Sequence, residues 1–222
     1  MKVESIKKYA ESFKSHLKTS ETLDNLYKYE NLTNFRAHWD IDELDFYEMY
    51  NKSFQSKMSN VLWGGSRNSA KSIMLEFIKL NKEFCRSMFK DLFDERKDLA
   101  MRINRFVFHC DQMLLELQNT TDKYVSHKHN PSVVSLYLCF NDPAQYCIID
   151  HNKYSKALHL LEARSIPEFF ELERSLKLSK GLLNIMSKDE EFSNIYQSKF
   201  PDSFKCEFNM LMVHDFYHFI SK

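Results

Sequence analysis

Apolar residues recur along this chain mainly at spacings of three and four. Over Asp94–Gln118, Leu99, Ile103, Phe106, Cys110, Met113 and Leu117 fall on one seam. That is the pattern of a long helix with one side in a core. Arg102, Arg105, His109, Gln112 and Glu116 form a second, polar stripe on the same stretch. This helix is read as the organising element. One edge seals the interior, and the other faces water, a partner or a substrate.

The same periodicity predicts helices on either side. Val3–Leu17 carries Ile6, Tyr9, Phe13 and Leu17 on one face, and Leu23, Leu26, Tyr27, Phe35 and Trp39 continue the spacing with a break near Asn31–Asn34. Asp40 or Asp42 is placed to cap a helix bearing Leu44, Tyr47, Tyr50, Phe54 and Met58. A glycine-bearing loop, Ser59–Asn68, precedes a helix through Ile73, Met74, Phe77 and Ile78, capped by Ser66 or Asn68. Asn81 caps the next, which buries Cys85, Met88, Phe89 and Leu92. Asn119–Pro131 is polar and reads as an exposed loop.

Val133–Phe140 alternates in a way that predicts a strand, Asn141–Ala144 a turn around Pro143, and Gln145–Asp150 a returning strand. Helices resume at Tyr154, Leu158 and Leu161. They continue after Ser165 and Pro167 through Leu172–Met186, then at Phe192–Tyr196, and last from Pro201 through Phe204, Phe208, Phe216 and Phe219. The expected fold is mostly α (α+β): one domain over 1–222, built around one long central helix with a small antiparallel β element. A boundary within 119–131 is the one credible subdivision.

Composition narrows the function classes. Three glycines and four prolines in 222 residues argue against hairpin-rich folds and glycine-rich phosphate loops. Lys+Arg and Asp+Glu are both 31, so no global field draws in nucleic acid and binding would need a local patch. The five cysteines form no CxxC pair and most sit in apolar runs. With no signal peptide over Met1–Lys18, they predict buried free thiols in a reduced, cytoplasmic protein.

Four constellations carry candidate chemistry. Gly65–Ser72 nearly spells a phosphate-binding loop, but Ala70 stands where the second glycine belongs; the competing reading is a capped helix start with Lys71 in solvent. Arg102 and His109, with six residues between them on a helix, resemble the motif of HEPN-type helical ribonucleases. In that family the arginine holds phosphate and the histidine moves a proton. His214 and His218 have the i, i+4 spacing of a metal pair but lack a third ligand, so no metal and no cofactor is expected. Finally, Arg67, Lys71, Arg102, Arg105, Lys123, His127, Lys128 and His129 would make a phosphate-binding patch if they converged, with Trp63 and Tyr124 as stacking groups.

Trp63-Gly64-Gly65, Ser69-Ala70-Lys71, Met88–Glu95, Arg102-Ile103, Phe106 and Asp111, followed by Ser135–Phe140, Asp142-Pro143 and Tyr146, resemble the region ahead of the motor in McrB-like AAA+ proteins. These act in modification-dependent restriction in bacteria. The likeness covers roughly Trp63 to Asp150, or at its widest the whole chain. It implies an N-terminal module that recognises a target, commonly DNA, while a separate motor hydrolyses GTP and recruits a nuclease. No intact phosphate loop followed by an acidic strand occurs in this chain, so the expectation is a recognition or adaptor module and not an enzyme. Its implied partners are DNA, which may carry a modification, and an AAA+ motor. A protein-sensing module of a defence system is the alternative within the same setting.

Overall fold

Polar side chains at the junctions set where this chain turns helical. Asp45, Ser69, Asn81, Asp98, Asp150 and Asp189 each accept a hydrogen bond from the backbone N–H three residues on. Each bond satisfies one donor that a helix start leaves open. The computed structural model describes residues 1–55, 62–63, 69–201 and 209–222.

Among these residues there are eleven helices and no strand. They are α1 (Val3–Thr19), α2 (Tyr27–His38), α3 (Phe46–Ser53), α4 (Ala70–Leu80), α5 (Lys82–Leu92), α6 (Leu99–Gln118), α7 (Pro131–Asn141), α8 (His151–Leu160), α9 (Leu172–Met186), α10 (Glu190–Gln197) and α11 (Met210–Ile220). No described helix is long and apolar enough to cross a membrane.

The chain divides into two compact units, residues 27–134 and residues 1–26 with 135–222. In the first, α3, α4, α5 and α6 pack around Phe46, Tyr50, Phe54, Phe77, Phe89 and Phe106, all buried. Trp39 sits edge-on to Phe46, Tyr50, Phe54 and Phe89 at centroid distances of 5.3–6.4 Å, a geometry aromatic quadrupoles favour. In the second, Phe13 of α1 meets Phe192, Tyr196, Phe216 and Phe219. Helix α11 is buried on nearly every side from Met210 to Tyr217.

The expected antiparallel β element is absent, and the fold is all-helical where it is described. Residues 131–141 form α7. Asn130 caps it, its Oδ1 accepting from Val133 N–H at 3.1 Å, and Pro131 occupies the first turn. Val134, Leu136, Tyr137, Leu138, Cys139 and Phe140 are all buried. A helix buried all round shows no polar stripe, so its apolar run cannot be told from a strand by periodicity. The return segment 146–150 is neither helix nor strand. Instead Ile149 N–H donates to Ser135 Oγ at 2.9 Å, and His214 Nδ1 lies 3.0 Å from the Ile148 carbonyl.

Smaller differences have local causes. Helix α2 runs unbroken through 31–34, and within it Asn31 turns its Nδ2 onto the Tyr27 carbonyl at 2.7 Å. Asp45, not Asp40 or Asp42, caps α3. The central helix starts at Leu99 behind its Asp98 cap, so Asp94–Lys97 belongs to the turn before it. The seam is otherwise as expected, with Ile103, Phe106, Cys110, Met113 and Leu117 buried.

Candidate functional site

Helices α5 and α6 are joined by a short turn, and this brings charged groups from both onto one concavity. The cavity is about 590 Å³ and is lined by Ser87, Met88, Lys90 and Asp91 of α5, Asp94, Arg96 and Lys97 of the turn, and Arg105 and His109 of α6. Four cations face two carboxylates there. Asp91 Oδ1 accepts from Arg105 Nη1 at 3.1 Å and from Lys97 Nζ. Asp94 accepts from Arg96 Nε and Nη2 at 2.7 and 2.9 Å, and this bidentate pair holds its carboxyl well below the usual carboxylate range. Lys90 reaches out to Asp42 at 2.6 Å.

Aromatic rings border the same helix face. His109 bonds Gln112 through Nδ1 at 3.2 Å and meets the Phe84 ring edge-on at 5.0 Å. Its neighbour Phe108 is 56% exposed, ring centroid 5.8 Å from that of His109. Met101 and Leu115 are also exposed, one heptad before and after Phe108.

Of the residues expected to form a basic patch, Arg105 lines this cleft. Arg102 does not: it is 2% exposed, donating to the Leu92 carbonyl at 2.8 Å and to both Glu95 oxygens at 3.0 and 3.3 Å. It pins the end of α5 to α6 rather than facing water, so Arg102 and His109 are not presented together as a ribonuclease pair requires. Lys71 is half-buried at the start of α4, and desolvation pushes its ammonium down to about 8. Ser69 caps that helix, its Oγ accepting from Ser72 N–H. Residues 65–68 of the phosphate-loop-like stretch, Arg67 among them, lie outside the described residues. Lys123 is exposed and lies over the ring of Tyr124, 4.9 Å from its centroid. Tyr124 is itself buried, and half-buried Trp63 packs edge-on against Phe54, so neither is a presented stacking group.

The loop histidines go elsewhere. His129 is fully buried between Phe77 and Phe106, and burial pushes its imidazole down to about 3. His127 is half-buried with Nε2 3.1 Å from Asp111 Oδ1, and Lys128 between them is exposed. Cys110 of α6 completes a group with the two histidines. His214 and His218 have ring centroids 4.2 Å apart, but Lys153 Nζ approaches His218 Nδ1 at 2.9 Å, an arrangement that repels a cation.

Lys90, Arg96 and Lys97 were not singled out by sequence reasoning. Their convergence depends on how the 93–98 turn folds back, which no periodicity encodes. The alternation of acids and bases over Lys90–Asp98 was the available signal. Comparison with protein-family models, with curated proteins and with solved structures gives no match to this chain.

Proposed function

We propose that this chain is a non-catalytic recognition module that binds DNA through the α5–α6 cleft, in a McrB-like restriction or anti-phage defence system whose AAA+ motor is a separate domain or subunit. The observation that carries the reading is the cleft itself. Lys90, Arg96, Lys97 and Arg105 line one concavity with an excess of cations over carboxylates. A phosphodiester entering it would take over guanidinium and ammonium contacts now made to Asp91 and Asp94, and phosphate suits the arginine fork as carboxylate does. Exposed Phe108 beside His109 supplies a ring on which an unpaired base can stack. These features favour single-stranded or locally opened DNA over an intact duplex.

The test is fluorescence anisotropy with labelled single-stranded and duplex oligonucleotides, with and without base modification, over a salt series. The expected result is binding that weakens with salt at a slope of about −0.7 per phosphate contacted on a single strand. It should weaken again in Arg96→Ala and Arg105→Ala. Absence of salt-sensitive binding to every oligonucleotide would remove the reading.

One observation favours a second reading, a protein-sensing module. Met101, Phe108 and Leu115 are exposed at intervals of seven on α6, a row that suits a partner helix. Binding of a protein partner that is insensitive to salt and lost in Phe108→Ser would favour it over DNA.

A further inference from the structure

We propose that Cys110, His127 and His129 form a zinc-binding site that ties the 119–130 segment to α6. The thiol and one nitrogen of each imidazole all lie within 4.8 Å of one another. Zinc bonds of about 2.0–2.3 Å set tetrahedral ligand atoms about 3.5 Å apart. The group therefore needs to close by only about 1 Å, with Cys110 anchored on a rigid helix and both histidines on a segment free of helix.

The backbone between the histidines is shaped for this. Lys128 has φ of 62°, a left-handed conformation unusual for a lysine. It turns both flanking side chains to one side, so the rings of His127 and His129 stack with centroids 5.6 Å apart.

The surroundings also suit a metal. His127 Nδ1 accepts the His129 amide N–H at 2.9 Å, so its proton sits on Nε2, which faces Asp111 Oδ1 at 3.1 Å. A carboxylate on the far nitrogen is how metal-bound histidines are commonly oriented. An ion taken up on Nδ1 would displace the His129 amide from that lone pair, exchanging one hydrogen bond for a metal bond. Borderline-soft thiolate and imidazole donors match Zn²⁺ rather than Mg²⁺ or Ca²⁺. Uptake balances simply: Cys110 S–H gives its proton to solvent, the thiolate and two neutral imidazoles donate electron pairs, and one proton leaves per ion bound.

The whole chain, stripped with chelator and then desalted, is the sample. Zn²⁺ retained after gel filtration is measured by elemental analysis, and Co²⁺ is titrated as a spectroscopic probe of thiolate coordination. The expected result is one equivalent of zinc, a thiolate-to-cobalt charge-transfer band, and a melting temperature raised by several degrees with zinc present. Cys110→Ser should lose the band, and His127→Gln and Asp111→Asn should each weaken binding by about tenfold or more. His127 is only half-buried, so its variant reports even if a change at Cys110 disturbs folding. No retained zinc, or metal held undiminished by both Cys110→Ser and His127→Gln, would overturn the proposal and leave His129 a packed core residue.

Discussion

Arg105 Nη1 bonds Asp91 Oδ1 at 3.1 Å on the wall of the α5–α6 cleft, and the same oxygen also accepts from Lys97. One carboxylate thus occupies two of the cations that a phosphate would use. Asp91→Asn leaves an amide that holds neither as strongly. If the cleft binds DNA, this variant should bind several-fold tighter at low salt than the parent chain, while Arg105→Ala should bind more weakly. Anisotropy on the same oligonucleotide reads both. A parallel loss in the two variants would mean that the ion pair shapes the cleft instead of guarding it.

Two arginines three residues apart on α6 should respond very differently to removal. Arg105 is half in solvent, and exposed ion pairs contribute about 0–1 kcal/mol. Arg105→Ala should therefore change stability by less than about 1 kcal/mol. Arg102 is buried and saturates the Leu92 carbonyl at the end of α5. Arg102→Ala leaves that carbonyl short of a donor, which costs about 1–3 kcal/mol, and opens space beside it. Urea unfolding of the two variants checks the contrast. Equal midpoints would mean that Arg102 is not structural.

This contrast shows what the sequence could and could not reveal. The seam from Ile103 to Leu117 was legible because one-sided burial leaves a period of 3.6. The polar stripe was legible as a stripe, but not as wet or dry. Arg102 lies close to the seam, so its aliphatic stem enters the core and its head finds backbone and Glu95 there. The cleft was hidden because it is made by a turn between helices. The strand expected over Val133–Phe140 failed for the opposite reason: burial on all sides erased the periodicity that would have marked a helix, and β-branched Val133 and Val134 favoured the wrong element.

The 146–150 segment gives a direct check on that correction. Ile149 N–H has Ser135 Oγ as its acceptor where a sheet would have given it a neighbouring strand. Ser135→Ala should leave this buried amide without that acceptor and lower stability by about 1–3 kcal/mol. Exchange of the Ile149 amide with deuterium should quicken with it. If the amide stays fully protected in the variant, a backbone partner is holding it.

Lys71 offers a prediction in pH. Its folded-state value is about 8 against an ordinary 10.5, with burial at the start of α4 as the main cause and the Glu48 charge opposing it. A base whose value falls on folding binds fewer protons in the native chain than in the unfolded one. Stability then rises with pH wherever the unfolded state alone is protonated. For this group the window runs from about 8 to about 10.5, and below it the full cost of an ionised, partly desolvated ammonium is present. Lys71→Met removes that cost. The variant should be more stable than the parent at pH 7, and the difference should shrink as pH rises through the window, read from denaturant midpoints at a series of pH values. Should the parent gain nothing relative to the variant between pH 8 and 10, the side chain reaches water freely and the reading of Lys71 as a partly desolvated residue at a helix start is wrong.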